Sequence, residues 1–551
     1  MNALPDWLTP LPEAEQMRAI DRWAIEQRGV DGLALMERAG AGVTRAVERL
    51  APDGPVGVVC GKGNNGGDGL VTARLLREAG REVRVVCVAS PQELSGDAQV
   101  NLKRLPGDAP LRLDGTSWAP GGRARPAKTG EAAPALGQGA VLVDALLGTG
   151  FAGEPRGAVA EAIDAINGTC ARVVSVDVPS GVDASTGVVC GAAVRASVTV
   201  TFHAAKPGLW IYPGKGYAGA VETIDIGIPR GAPVQASVGL IAPSVLGLLA
   251  RRGPSSTKFA SGHVLIVGGS RGLTGAPRMA AYACMRAGAG YVTACVPDSQ
   301  QGIVAAGGTP EMMTRGLPDD DGGLTLEGLD GVLAAAGRGG ALALGPGLGR
   351  SGGAFALARA LARETPIAMV LDADGLNAHA GRLQELAQRD APTVLTPHAG
   401  ELGRLLELES SQIDSERLRH ARAAAVQARA VVVLKGDDTL VAEPSGRVAV
   451  SPGASPALAT AGTGDVLTGV IAALLAQGLD AFAAGAAGVC LHAAAGREAA
   501  RRQGAPEGVI ASDVIAALPA ALAVSSGGDK AGHGHGGGRW DGGGEHGEEL
   551  T

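Results

Sequence analysis

Short runs of β-branched residues recur in two series along the chain, spaced by helix-length segments and each ended by a loop of glycine and polar residues. Few folds satisfy that alternation. Strands joined through crossover helices pair in parallel, and a parallel sheet must be covered by helices on both faces. In the first series strands are expected at 56–60, 82–88, 140–144, 172–177 and 197–201, and in the second at 264–267, 341–344, 367–371, 393–395 and 430–434. The pattern pauses where Pro229, Gly231, Pro233 and Pro243 cluster. Residues 229–244 are therefore expected to be a linker between α/β domains at 1–228 and 245–524. The stretches 466–477 and 483–501 read as helices, and 114–139, rich in Gly, Pro, Ala and Arg without periodicity, as a surface insertion. The Gly-rich end at 525–551, with His533, His535 and His546, has too few apolar residues for a core and is expected to be disordered.

Composition removes several classes of function. With 551 residues, 46% of them hydrophobic, the chain can build two or three cores. A net charge of −7 and only 3% aromatic residues argue against nucleic-acid binding. The seven cysteines are scattered without metal-ligand spacing and read as reduced thiols of a cytoplasmic protein. The chain shows neither a basic leader followed by an apolar run nor about twenty consecutive apolar residues, so neither export nor membrane insertion is expected.

Loops at the carboxyl ends of parallel strands share one edge of the sheet, where α/β proteins place their chemistry. In the first half the loop Gly61-Lys62-Gly63-Asn64-Asn65-Gly66-Gly67-Asp68 formally satisfies the dinucleotide pattern GxGxxG. The acidic residue expected about twenty positions on is missing, which disfavours a dehydrogenase. Asn64, Asn65 and Asp68 suit hydrogen bonding to amide or sugar groups, or oxygen ligation of a cation. Asp144, Gly148 to Phe151, and Asp177 with Ser180 follow later strands. Each Asp alone is better explained as a helix cap, but three polar loops at one sheet edge are not.

The second half repeats the arrangement with Gly268-Gly269-Ser270, Thr274-Gly275-Ala276, Gly345-Pro346-Gly347, Asp372-Ala373-Asp374, His398-Ala399-Gly400-Glu401 and Lys435-Gly436-Asp437-Asp438-Thr439. His398 alone would be a satisfied structural histidine, and Lys435 alone a solvated cation. The run Gly462-Thr463-Gly464-Asp465 gives the set its chemistry. A small-residue turn opening a helix presents N–H groups and the positive end of the helix dipole to a phosphate. Asp465 then stands where a base can take the proton of a hydroxyl attacking a phosphoryl group.

The motifs Met17-Arg18-Ala19-Ile20-Asp21, Leu35-Met36-Glu37-Arg38-Ala39-Gly40, Asn64-Asn65-Gly66-Gly67-Asp68-Gly69 and Asp177-Val178-Pro179-Ser180-Gly181 resemble the NAD(P)H-hydrate epimerase family, over nearly all of 1–228. That resemblance implies a Rossmann-like three-layer α/β/α domain that interconverts R and S hydrates of NADH or NADPH and holds K+. By motif, Asn65, Asp144 and Ser180 would serve the K+ site. Asn64, Asn65, Gly66, Gly67, Asp68, Gly148, Thr149, Gly150, Phe151, Ala152, Gly153, Glu154 and Asp177 would contact the hydrate, with Asp177 as acid/base.

Residues 245–524 resemble the ADP- or ATP-dependent NAD(P)H-hydrate dehydratases, which have a ribokinase-like α/β fold. The resemblance implies that Ala276, Gly347, His398 and Asp465 bind the hydrate and that Lys435, Gly436, Asp437, Asp438, Thr439 and Gly464 bind adenine nucleotide. Asp465 would activate the hydroxyl, Mg2+ would assist without a visible ligand set, and ADP is preferred because bacterial fusions use it. Two departures, Thr257-Lys258 for the usual His-Lys and His398-Ala399 for His-Pro, remove no proposed catalytic group. The pairing of both halves resembles the bifunctional repair enzymes, so a homo-oligomer acting on NAD(P)H hydrates is expected. The alternative is a vitamin or sugar kinase fused to a non-catalytic binding module.

Overall fold

Two separate β-sheets organise the chain, each sandwiched between helices. The computed structural model describes residues 3–90, 92–112, 136 and 140–524. The insertion expected at 114–139, apart from Leu136, and the tail at 525–551 lie outside the described residues.

The first sheet has seven parallel strands in the order Leu111–Arg112, Val83–Cys87, Val56–Cys60, Val141–Ala145, Arg172–Val176, Val198–Phe202, Ala220–Ile224. Strands buried on both faces need no polar alternation, which is why the run Val56-Gly57-Val58-Val59-Cys60 is apolar throughout. Its period of two still divides the core. Val58 packs with Val43, Val47 and Leu70 beneath helices Gly32–Leu50 and Asn64–Glu78. Val59 faces the opposite way, toward Ile163 and Ile166 of helix Ala158–Asn167. The fold is thus a Rossmann-like three-layer α/β/α domain.

The second sheet has eleven strands. Seven run parallel, from Met313–Leu317 through Tyr291–Pro297, His263–Val267, Ala341–Leu344, Ala368–Leu371 and Thr393–Leu395 to Val431–Leu434. Helices Gly275–Arg286, Thr463–Ala476 and Ala481–Gln503 bury one face, and Gly352–Glu364, Ala399–Leu406 and Arg417–Ala428 the other. This is the ribokinase-like domain. Gly469 meets the carbonyl of Ala280, where a side chain would collide, so Thr463–Ala476 lies close against Gly275–Arg286 and its N-terminal turn is fixed over the sheet edge.

The sheet departs from expectation at its edge. Beyond Val431–Leu434 come Leu440–Ala442 and Val448–Val450, then Val238–Ile241 and finally Leu8–Pro10. The stretch 229–244 is therefore not only a linker, since it supplies a strand to the second sheet. Residues 8–10, expected in the first domain, pair with that strand too, and Trp7 packs against Phe482 with ring centroids 5.6 Å apart. A three-residue Leu-Thr-Pro strand carries no periodic signal, and its proline is tolerated because only one side is paired. Among the described residues no helix is long and apolar enough to cross a membrane.

Candidate active sites

In the first sheet the chain steps outward from Val56–Cys60 to Leu111–Arg112, then returns to the other side at Val141–Ala145. The loops after those two central strands diverge and leave a cleft of about 810 Å³. Glycine makes the approach possible. A side chain on Gly61 would strike the Leu146 carbonyl, and one on Gly66 the Gly61 carbonyl. Asn64, Asn65, Asp68, Gly148, Thr149, Gly150, Phe151 and Asp177 line the cleft as the sequence suggested. Gly66 and Gly67 do not, because both are packing positions, Gly67 against Met36. Ala152, Gly153 and Glu154 also lie off the wall, and Arg156, 3.8 Å from Glu154, reaches it instead.

Asp177 holds a backbone φ of 65°, a left-handed value that a non-glycine residue adopts at a cost of about 1–3 kcal/mol. Its contacts keep it there. Oδ2 accepts from the Thr149 amide at 3.0 Å and from the Thr149 hydroxyl; Oδ1 accepts from Thr201 Oγ1 at 3.3 Å and from Lys206 Nζ at 2.5 Å. Burial raises the Asp177 carboxyl, but the Lys206 charge and these hydrogen bonds outweigh it and hold the group below the usual range. Asp68 goes the other way. Burial and the charges of Asp177 and Asp21 push it well above that range, against the pull of Lys206. The cleft thus sets two carboxyls shifted in opposite directions, Asp177 down and Asp68 up, near one buried lysine, a pairing that suits a base and an acid.

Lys206 was not singled out from sequence. It is 2% exposed and also donates to Thr201 Oγ1 at 2.8 Å and the Phe202 carbonyl at 3.2 Å. Its position just past strand Val198–Phe202, at the same sheet edge as the other loops, is the signal that would have found it.

Beneath the cleft, Asn65, Asp144 and Ser180 converge on Leu147. Asn65 Nδ2 donates to the Leu147 carbonyl at 2.9 Å, and Ser180 Oγ accepts the Leu147 amide at 2.9 Å and donates to Asp144 Oδ1 at 2.6 Å. Asp144 is fully buried, and its oxygens also take the Ser175 hydroxyl and the Ser180 and Leu146 amides. Burial raises its carboxyl, and these hydrogen bonds oppose the rise. Among the described residues no cationic side chain pairs with it, while Asn65 Oδ1 is buried without a partner. A buried carboxylate beside an orphaned amide oxygen fits a cation of single charge held by oxygen. Asp144 also orients Ser180, whose hydroxyl and amide it accepts.

The second sheet has its own point of divergence, where His263–Val267 lies between Tyr291–Pro297 and Ala341–Leu344. Here Gly347, at φ 61°, has its missing Cβ position 3.1 Å from the Ala276 methyl, so the two residues expected to bind one ligand lie side by side. The Gly347 carbonyl accepts the Gly269 and Ser270 amides at 2.9 and 2.7 Å, locking the two loops together.

Gly462, at φ 90°, caps helix Thr463–Ala476 and puts Asp465 in its first turn. Lys435 Nζ lies 3.0 Å from Asp372 Oδ1 and 3.6 Å from Glu401 Oε2; a Cβ on Gly464 would come within 3.6 Å of it. Asp372 is in turn fixed by Thr468 Oγ1 at 2.7 Å. Burial and the Asp372 charge, reinforced by Glu401 and opposed by Lys435, push the Asp465 carboxyl up to about 7, the range of a general base. His398 Nδ1 accepts the Gly400 and Glu401 amides at 3.0 and 3.3 Å, capping helix Ala399–Leu406, and its Nε2 lies 3.5 Å from Glu401 Oε1. That leaves Nε2 to carry the proton of the neutral ring.

Beside this cluster a cavity of about 480 Å³ is lined by Lys435, Gly436, Asp437, Thr439 and Gly464. Asp438 is an exception. It is 1% exposed and its Oδ2 holds Arg417 Nε and the Tyr212 amide, each at 2.9 Å, away from the cavity. His492, absent from the sequence argument, lines the cavity with Nε2 unpartnered among the described residues, and burial and the Lys435 charge lower its pKa to about 4. Its signal was hidden inside the Ala- and Gly-rich first half of helix Ala481–Gln503.

A Rossmann-like domain with an acid/base cleft joined to a ribokinase-like domain with a helix-turn base defines a two-site enzyme. The family model described as NAD(P)H-hydrate dehydratase matches residues 264–520, and that described as YjeF-related protein N-terminus matches 32–208. The chain is 41% identical to a bifunctional NAD(P)H-hydrate repair enzyme of Moorella thermoacetica, covering 93% of this chain and 96% of that one. It is 43% identical to a protein of the same description from Salinibacter ruber, covering 93% and 95%. A solved ADP/ATP-dependent NAD(P)H-hydrate dehydratase from Bacillus subtilis, co-crystallised with ATP and Mg2+, is 27% identical over 51% of this chain and 96% of its own, with a TM-score of 0.44. The chain belongs to the family of bifunctional NAD(P)H-hydrate repair enzymes.

Proposed function

We propose that the two clefts divide nicotinamide-cofactor repair between them: the first interconverts the R and S hydrates of NADH and NADPH, and the second dehydrates the S form using the terminal phosphoryl group of ADP. The assignment corresponds to domains at 1–228 and 245–524, with strand Leu8–Pro10 lent to the second sheet. The observation that carries it is Asp465, a half-buried carboxyl in the first turn of helix Thr463–Ala476, next to the Gly464 wall of the second cavity and pushed up to about 7 by desolvation and the Asp372 charge.

In the second site Asp465 takes the proton of the hydrate's hydroxyl as that oxygen attacks the terminal phosphorus of the nucleotide, and AMP leaves from ADP. The amides at the start of helix Thr463–Ala476 and the Lys435 ammonium stabilise the charge that develops. The phosphorylated oxygen then departs as phosphate, driven out by the ring nitrogen, and loss of a proton from the adjacent ring carbon restores the double bond of the reduced nicotinamide. Ala276 and Gly347 leave room for the nicotinamide ring, and His398, whose Nε2 lies 3.5 Å from Glu401 Oε1, would contact the hydrate from the neighbouring loop. Mg2+ would enter on the nucleotide phosphates, keeping water in its shell, and would neutralise phosphate charge there.

In the first site Asp177 is the base and Asp68 the acid at the epimerised carbon, with Lys206 holding Asp177 ionised. Asn65, Asp144 and Ser180, grouped around Leu147, would hold K+, which would offset the buried Asp144 carboxylate and anchor the Leu147 to Phe151 loop. All seven cysteines are free, which supports a cytoplasmic setting, and a homo-oligomer remains the expected assembly.

The test is absorbance at about 340 nm, where reduced nicotinamide absorbs, after mixing the protein with R- and S-hydrated NADH, Mg2+, K+ and either ADP or ATP. Full recovery of NADH with ADP is the expected result. Recovery of the S fraction alone, corrected for spontaneous epimerisation, would make the first domain a binding module, and no recovery with either nucleotide would return the vitamin-kinase alternative.

A further inference from the structure

The segment that leaves the first cleft ends against the second. It begins at Lys206, buried beside Asp177, passes through Ile211, which is fully buried in the core beneath the second sheet, and reaches Tyr212 and Lys215. There two successive carboxylates of the loop Lys435-Gly436-Asp437-Asp438-Thr439 are gripped from the other domain. The Tyr212 amide donates to Asp438 Oδ2 at 2.9 Å, and Lys215 Nζ lies 2.5 Å from Asp437 Oδ2.

Lys215 also touches the opposite wall of the cavity. Its Nζ donates to the Pro452 carbonyl at 3.3 Å, and Asp437 Oδ1 accepts the Ala454 amide at 3.0 Å. Ser451, Ala454 and Ser455 line the cavity on that side, as Lys435, Gly436, Asp437 and Thr439 do on the other. One ammonium therefore clips the two walls together. It also neutralises a carboxylate that would otherwise face the phosphates of a bound nucleotide. The lysine is mostly buried, with 16% of its side chain exposed against 46% for Asp437, so the pair is only partly screened by water.

We propose that Lys215, borne by the epimerase half, is a positioning residue for nucleotide in the dehydratase half, acting through Asp437. The proposal rests on the reading of 435–439 as the nucleotide loop. Each site keeps its own catalytic groups, but the second is incomplete without the first domain.

The experiment uses the full-length chain and compares Lys215→Ala, Lys215→Arg, Asp437→Asn, the Lys215→Ala/Asp437→Asn double variant and Thr439→Val. The Lys215→Ala protein should show a KM for ADP raised about tenfold, as expected for loss of a partly screened charge contact. Its KM for the S hydrate should stay within about twofold and its epimerisation rate, which also reports folding of the domain bearing residue 215, should match wild type. Lys215→Arg should recover most of the loss. Because the two residues act as one unit, the double variant should bind ADP no worse than the weaker single variant. An unchanged KM for ADP in Lys215→Ala with a raised one in Thr439→Val overturns the proposal alone. No change in either overturns the nucleotide-loop reading as well. Additive losses in the double variant overturn the coupling through Asp437.

Discussion

The ammonium of Lys206 sits 2.5 Å from Asp177 Oδ1, with 2% of the lysine side chain and 13% of the aspartate exposed. Two opposite charges so far from water depend on each other, and breaking such a pair costs about 3–5 kcal/mol because the survivor stays buried. Lys206→Met should therefore lower thermal stability and also allow Asp177 to pick up a proton. Epimerisation should fall by at least about 100-fold, the usual contribution of a positioned acid/base group, while dehydration of pure S hydrate continues. Conversion of R hydrate in the presence of excess nucleotide measures the first effect, and S-hydrate turnover the second. If R-hydrate conversion survives in a folded Lys206→Met protein, the pair is structural only.

Much of this site was legible because its polar residues follow strands, and strands are the clearest periodic signal in the chain. The run Val56-Gly57-Val58-Val59-Cys60 reads as a buried strand, which puts Asn65 and Asp68 in the loop and helix turn at its carboxyl end. Orientation was not legible. Asp437 and Asp438 are adjacent and chemically alike, yet one lines the cavity and the other holds Arg417 and Tyr212 from behind. Nothing local distinguishes them, because Arg417 and Tyr212 are brought there by packing over long sequence separations. The same limit concealed strands Leu8–Pro10 and Val238–Ile241, which pair with each other and, through Val238–Ile241, with Val448–Val450 far along the chain.

Asp465 predicts a pH profile. Its carboxyl titrates near 7 in the folded protein, and only the deprotonated form can accept the substrate's proton. Dehydratase kcat/KM should level off above about pH 7 and fall about tenfold per unit below it. Lys435 pulls that value down, so Lys435→Met should move the acid limb to higher pH. The sign for stability is opposite. A folded value above the ordinary 3.8 means that the folded state binds the proton more tightly, a contribution present at low pH and lost as pH rises through about 7. Asp465→Asn should thus abolish dehydration, spare epimerisation, and melt higher than wild type at pH values above about 8. Loss of both activities would end the idea of independent chemistry at the two sites.

The orphaned Asn65 Oδ1 beside buried Asp144 predicts dependence on a monovalent cation. Replacing K+ by a bulky organic cation should slow epimerisation and leave S-hydrate dehydration unchanged. K+ should also raise the melting temperature of the wild-type protein, a mass-action effect of binding only the folded state. Both responses should vanish in Asn65→Leu, which keeps the branched shape but removes the oxygen. A K+ response retained in that variant would place the ion elsewhere.

Gly347 offers the sharpest steric test of the second substrate pocket. Its φ of 61° is a conformation L-residues seldom adopt, and its missing Cβ would lie 2.5 Å from the Leu273 carbonyl and 3.1 Å from the Ala276 methyl. Alanine here faces both penalties, and the loop can relieve them only by drawing away from Ala276. Strain of this kind costs about 1–3 kcal/mol, part of which should appear as lower stability. If Ala276 and Gly347 bound the hydrate, the remainder would appear in binding, with KM for the S hydrate rising at least about tenfold for each 1.4 kcal/mol lost. The nucleotide cavity is lined by neither residue, so KM for ADP should hold. Steady-state kinetics with each substrate varied in turn separates the two, and a rise confined to KM for ADP would move the hydrate away from Gly347.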